Sequence, residues 1–108
     1  MTPQDRAEKC AALMWAKDAT SQSLGMQIAA IGPGKATLKM QVRDDMLNGH
    51  GICHGGMILT LADSAFAFAC NSYNKRAVAQ HCNITYVTPA KLDDTLTATA
   101  SKRIAQGR

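Results

Sequence analysis

Three features of the sequence predict an α+β fold. One long apolar segment lies near the middle, Gly55 to about Ser72; alternating segments flank it on both sides; and an amphipathic segment opens the chain. The long segment is apolar on nearly every side at helical spacing, so burial nearly all round is expected. The flanking segments have the two-residue period of strands that face a core on one side. Together they predict an antiparallel sheet wrapped on one central helix. The 108 residues are expected to form a single domain, 1–108. A domain of this size buries roughly 60–70% of its unfolded surface, so association between copies would add stability that it otherwise lacks.

Taken in order, Asp5 to Ala19 reads as a helix whose apolar stripe is Ala11, Leu13, Met14 and Trp15, with Lys9, Lys17 and Asp18 facing water. The run "SQSLG" ends it. A hairpin follows: Met26, Ile28 and Ala30 alternate with Gln27 and Ala29, Gly32-Pro33-Gly34 makes the turn, and Ala36, Leu38, Met40 and Val42 alternate with Lys35, Thr37, Lys39, Gln41 and Arg43. The returning strand therefore has one apolar and one basic face. "DDMLNGHGICHGG" has no period and reads as a loop running into the long helix. Beyond the helix, Val78 to Val87 reads as a strand ended by Pro89, and Thr95 to Ala100 as a strand alternating threonine with Leu96, Ala98 and Ala100. The terminal "AQGR" has the composition of another turn.

Composition narrows the functional class. The net charge is +4, with twelve Lys and Arg against eight acidic residues, and 46% of the chain is hydrophobic. The basic residues are scattered and no nucleic-acid motif accompanies them, so a nucleic acid is not the expected partner. A small anionic ligand suits such a distribution better. Cys10, Cys53, Cys70 and Cys82 are irregularly spaced behind a polar, charged amino end, which points to reduced thiols in the cytoplasm. The longest apolar run, Met57 to Ala69, is too short for a bilayer and contains Asp63, so no membrane association is expected.

Asp63 is the residue that asks for an explanation. The nearest formally charged residues along the chain are Asp45 and Lys75. A carboxylate in an apolar run costs free energy unless it is paired, hydrogen-bonded or protonated. Either hydroxyls such as those of Thr60 or Ser64 satisfy it, or it is a catalytic base or nucleophile. Gly55 and Gly56 open the same helix, at the positive end of its dipole, where bare N–H groups bind anions or polarise a carbonyl oxygen; alternatively they only make a tight junction. Eight residues of helix separate Gly55 from Asp63 by about 12 Å. A reacting carbonyl must lie ~3 Å from both its oxyanion donor and its attacking group. One helix cannot supply both, so joint action requires two copies of the chain with their long helices running past each other. In the loop, Asn48 and His54 either orient a substrate or cap the helix. His50, Cys53 and His54, with His81 or Cys82, match no closed zinc motif, and Cys53 beside His54 is a poor thiol–imidazole pair because sequence neighbours seldom form one. Neither a metal nor any other cofactor is expected.

The segment "MLNGHGICHGGMILTLADSAFAFACNS", Met46 to Ser72, with "CNITYVTPAKLDDTLTATA" after it, resembles the hotdog-fold acyl-CoA thioesterases of the phenylacetic-acid-degradation (PaaI-type) family. The resemblance rests on Asn-Gly-His, His-Gly-Gly and Leu-Ala-Asp in that order. It implies a hotdog fold, with the long helix as the filling of the sheet. It also implies Asp63 as the catalytic carboxylate, Gly55 as the residue whose N–H polarises the thioester carbonyl, and Asn48, His54 and Gly56 as substrate-binding residues. The implied substrates are phenylacetyl-CoA or hydroxyphenylacetyl-CoA, cleaved to acid and CoA in aromatic degradation by a homodimer or homotetramer with sites between subunits. Arg76, Lys102 and Arg103 become candidates for the CoA phosphates. The family continues with roughly two more strands where this sequence ends at Gly107-Arg108, so either the sequence is a fragment or the sheet is incomplete, with an exposed edge. The competing expectation is a non-catalytic acyl-CoA-binding hotdog module; a charge buried in an apolar helix speaks against it. Hydratase chemistry on the same fold would want an acid–base His–Asp pair on the helix, where only Asp63 is present.

Overall fold

Local sequence signals set where each element begins. The computed structural model describes residues 1–72, 79–86 and 90–104. Helix α1, Pro3–Lys17, starts earlier than its apolar periodicity suggests because Thr2 caps it. The Thr2 hydroxyl accepts from the Asp5 N–H at 3.0 Å while Asp5 accepts from the Thr2 N–H at 3.2 Å, and Pro3 occupies the first helical position, where no N–H is needed. A short helix α2, Ala19–Ser23, follows directly. Asp18 forms the junction. It is half-buried rather than simply facing water: its carboxylate accepts from the Ser21 N–H at 3.0 Å and the Ser21 hydroxyl at 2.7 Å, capping α2.

Strands β1, Gln27–Gly32, and β2, Lys35–Gln41, form the expected hairpin. Gly34 has a φ of 73°, the left-handed value that glycine takes without strain after a proline at the first turn position. The Ser72 hydroxyl accepts from the Gly34 N–H at 2.6 Å and donates to the Ala69 carbonyl at 2.8 Å, tying the turn to the end of the central helix. In β1 the expected alternation of Met26, Ile28 and Ala30 fails halfway. A bulge between Ile28 and Ala30 inserts Ala29 without a partner, which reverses the inward face so that Ile31, not Ala30, turns toward the core.

Helix α3 runs Gly55–Cys70, and β3, Ala79–Tyr86, and β4, Thr95–Ile104, complete an antiparallel four-stranded sheet in the order β1-β2-β4-β3. Val78, Val87, Pro89 and the terminal Ala105 to Arg108 lie outside the described residues. Register places Leu38 opposite Ala98 and Met40 opposite Leu96, all buried, against Leu61, Ala65, Phe68 and Ala69 of α3. Alanines on both surfaces let the helix approach the sheet closely, with Phe68 filling the space beneath Trp15 at a ring separation of 6.4 Å. The opposite side of the sheet carries Thr37 and Thr99, whose hydroxyls lie 3.3 Å apart. This is the α+β hotdog layout, a sheet laid on one long helix. Two further sequence expectations do not hold. Leu13 is exposed, because α1 docks through Ala7 and Ala11 instead. And α3 is not buried all round: a helix resting on one sheet buries one side, and Leu59, Asp63 and Phe66 face outward.

Candidate active site

The loop before α3 is held by backbone pairing that its lack of period conceals. Cys53 N–H donates to the Ala90 carbonyl at 2.8 Å, His54 N–H to the Met46 carbonyl at 2.7 Å and Asn48 N–H to the Ile52 carbonyl at 2.8 Å. Gly51, with φ 77°, permits the tight return. Asn48 organises this turn from within, its Oδ1 accepting from the His50 N–H at 2.8 Å and the Ile52 N–H at 3.3 Å. Its Nδ2 donors have no partner among the described residues.

His54 is the N-cap of α3. Its Nδ1 accepts from the Gly56 N–H at 3.2 Å. That nitrogen carries no proton, so the neutral ring holds its proton on Nε2, which remains available as a donor. Capping and orienting a ligand, alternatives at the level of sequence, are compatible at this residue because they use different nitrogens. The cap commits the Gly56 N–H, and the His54 carbonyl accepts from the Met57 N–H at 2.9 Å. The Gly55 N–H is left open: it donates to nothing among the described residues, and a Cβ at Gly55 would meet nothing within 4 Å. Packing within the chain therefore does not require a glycine here.

Asp63 lies two turns further along α3, with no hydrogen bond or ion pair among the described residues. The hydroxyls that could have satisfied it are engaged elsewhere: Thr60 donates to the Gly56 carbonyl at 2.8 Å, and Ser64 turns inward to Ser21, also at 2.8 Å. Since the single Ser21 proton goes to Asp18, Ser64 is the donor in that second bond. Asp63 projects into a depression of about 420 Å³ lined by Leu59, Thr60, Ala62, Asp63 and Phe66. All five belong to α3, so the depression is the open outward side of the helix. Sequence reading does not separate Leu59 and Phe66 from core residues; their spacing of four before and three after Asp63 is the signal that puts them on its face.

Gly55 and Asp63 thus share a helix, as expected, and about 12 Å of helix rise keeps them apart. Asn48, His54 and Gly56 gather at the Gly55 end. Cys53 is buried, its thiol turned to the His54 carbonyl at 3.6 Å, and burial pushes the thiol up from its ordinary pKa, away from thiolate chemistry. No group of three metal-ligating side chains forms among the described residues. The side chains of His81, Cys82, Lys102 and Arg103, and all of Arg76, lie outside them. Cys10 and Cys53 form no disulfide among the described residues. No helix among the described residues is long and apolar enough to cross a membrane.

Comparison with known proteins agrees with this layout. The profile of the thioesterase superfamily matches residues 50–102, which contain the end of the loop, α3, β3 and most of β4. The Escherichia coli acyl-coenzyme A thioesterase PaaI is 48% identical over 90 residues, covering 83% of this chain and 64% of PaaI, so the chain spans just under two thirds of that relative. The solved structure of the E. coli PaaI protein, from the phenylacetic acid degradation operon, superposes with a TM-score of 0.83 at 42% identity, covering 99% of this chain and 78% of that one. A Streptococcus pneumoniae thioesterase protein solved with coenzyme A has a TM-score of 0.59 at 30% identity, covering 77% of this chain and 64% of that one. With the hotdog layout, the profile match and the identity to PaaI all in agreement, the chain belongs to the thioesterase superfamily, in its PaaI-type branch.

Proposed function

We propose that the chain is an acyl-CoA thioesterase that hydrolyses phenylacetyl-CoA or hydroxyphenylacetyl-CoA to the free acid and CoA, as a single hotdog domain acting in cytoplasmic homodimers or homotetramers. The observation that carries this reading is Asp63, a carboxylate without a partner among the described residues, on an outward face with Leu59 and Phe66. The open Gly55 N–H on the same helix and the similarity to PaaI support it, as does the relative solved with coenzyme A.

The rise of about 12 Å supports a site shared between two protomers. The thioester oxygen sits at the Gly55 N–H of one protomer, where the helix dipole and the donor stabilise the charge that develops on it. Asp63 of the other protomer approaches the carbonyl carbon. Acting as base, it takes a proton from water while the water oxygen bonds to carbon; acting as nucleophile, its own oxygen forms that bond and water later releases the acid. In both routes the oxyanion collapses, the C–S bond breaks, and the departing thiolate of CoA takes a proton. In this reading His54 Nε2 and Asn48 Nδ2 orient the thioester, with the Gly56 N–H holding the His54 ring.

The test is release of CoA thiol from phenylacetyl-CoA by the parent and by Asp63→Ala, with assembly checked by sedimentation. Loss of about 100-fold or more in kcat with unchanged assembly is expected. Equal rates would make Asp63 a structural carboxylate. Stabilisation by acyl-CoA without turnover in the parent would favour a binding module instead.

A further inference from the structure

The turn before α3 sets an asparagine directly ahead of a glycine, Asn48-Gly49, and its hydrogen bonds leave the polar groups of that pair unequally engaged. We infer that Asn48 is a self-modification site: the Gly49 backbone nitrogen closes on the Asn48 side-chain carbonyl, ammonia leaves, and water opens the succinimide to aspartate or isoaspartate, retiring the site that Asn48 serves. The modification stands on the turn itself; that it ends turnover rests on the thioesterase reading.

The turn favours each part of the step. Asn48 Oδ1 accepts from the His50 N–H at 2.8 Å and the Ile52 N–H at 3.3 Å, so two fixed donors polarise the carbon under attack and hold the charge that develops on its oxygen. The leaving group, Nδ2, is bound to nothing among the described residues. The attacking Gly49 N–H also donates to nothing there, although its neighbours are committed: the Asn48 N–H to the Ile52 carbonyl and the Gly51 N–H to the Asn48 carbonyl. Gly49 and His50 are exposed, so water and hydroxide reach the backbone, and glycine places no Cβ beside the attacking nitrogen.

The step balances without an oxidant or reductant. The Gly49 nitrogen gives its proton to hydroxide and bonds to Cγ; the Cγ–Nδ2 bond breaks and Nδ2 leaves as ammonia with a proton from water. Ring opening then consumes one water. Either product lacks the Nδ2 donor and carries a new negative charge at the Gly55 end of α3, where the proposed thioester oxygen also becomes negative. Isoaspartate further routes the main chain through an extra carbon. That disturbs the Leu47–Cys53 pairing and the bond from the His54 N–H to the Met46 carbonyl, which hold the start of α3.

The test follows Asn48 in the folded parent, in the parent unfolded in urea and in Gly49→Ala, all at pH 9 and 37 °C. Peptide mass spectrometry reads the gain of about 1 Da, and enzymatic methylation reads isoaspartate. A Cβ at Gly49 meets nothing within 4 Å and its φ is not left-handed, so Gly49→Ala keeps the fold while crowding the attacking nitrogen. The folded parent should convert at no less than about one-tenth the rate of the unfolded chain, and Gly49→Ala at least about 10-fold more slowly than the folded parent. A folded rate below that limit would show that the turn protects Asn48 and would overturn the inference. Conversion of Gly49→Ala as fast as the parent would overturn the ring-closing route. CoA release from phenylacetyl-CoA, measured on the same samples, should fall in step with intact Asn48 in the parent and persist in Gly49→Ala. Full activity after conversion would remove the retirement of the site while the modification stands. A parent with no turnover at the outset would count against the thioesterase reading, and the mass readout would still decide the modification.

Discussion

Gly55→Ala separates catalysis from folding more cleanly than any other single change. A Cβ at Gly55 meets no heavy atom within 4 Å, and its φ is not in the left-handed region, so the methyl fits the folded chain. Replacing glycine by alanine at such a position reduces the freedom of the unfolded chain and is worth about 0.4–1 kcal/mol in favour of folding. The same methyl is badly placed for chemistry. Helical Cα–Cβ bonds tilt toward the N-terminus, so it shadows the open N–H to which, in the proposed mechanism, a thioester oxygen comes within ~3 Å. Losing one oxyanion donor typically costs about 10²–10³ in kcat, or roughly 2.7–4 kcal/mol of transition-state stabilisation. The variant should therefore melt at or slightly above the parent temperature and lose at least about 100-fold in CoA release. The assays are thermal unfolding by circular dichroism and a thiol-detecting rate measurement on phenylacetyl-CoA. A kcat within a few-fold of the parent would refute the role of Gly55 as donor. A melting point several degrees lower would refute the claim that packing leaves its Cβ position free.

Three further outcomes are expected. His54→Asn keeps a side-chain cap for α3 and removes the Nε2 donor, so stability should stay within about 0.5 kcal/mol of the parent while kcat/KM falls about 10-fold or more; denaturant titration and steady-state kinetics read the two effects apart. Ser21→Ala removes the hydroxyl that joins Asp18 to Ser64 in a buried contact and should destabilise the fold by about 1–3 kcal/mol in urea unfolding. The double variant with Ser64→Ala should cost clearly less than the two single losses added together. The Cys53 thiol, raised by burial, favours the protonated form in the folded state; its contribution to stability is present below the unfolded thiol pKa and lost as pH rises through the folded one. Its alkylation should accordingly be slower than that of an unhindered thiol at pH 8 and should accelerate only in the alkaline range, as followed by mass spectrometry.

Sequence by itself determined much of this protein because several signals here are local. The faces of β2 and β4 are legible residue by residue: Leu38, Met40, Leu96 and Ala98 alternate with threonines and lysines, and a strand has only two sides. The start of α3 at His54-Gly55-Gly56, its length and the presence of Asp63 on it are equally local. The fixed rise of a helix then placed the two proposed reacting groups too far apart for one protomer to use both. Tertiary structure decided what depends on neighbours distant in sequence. The bulge at Ala29 reversed half a strand to suit the register with β2. Asp18 is half-buried as the cap of α2, and the Ser21 hydroxyl that donates to it is met from across the fold by Ser64. Leu13 was left outside because α1 docks through its alanines. The outward face of α3 was hidden for the same reason: an apolar helix shows only that every side prefers to be covered. Which sides the chain's own sheet covers, and which await something else, is set by packing, and packing leaves Leu59, Asp63 and Phe66 uncovered.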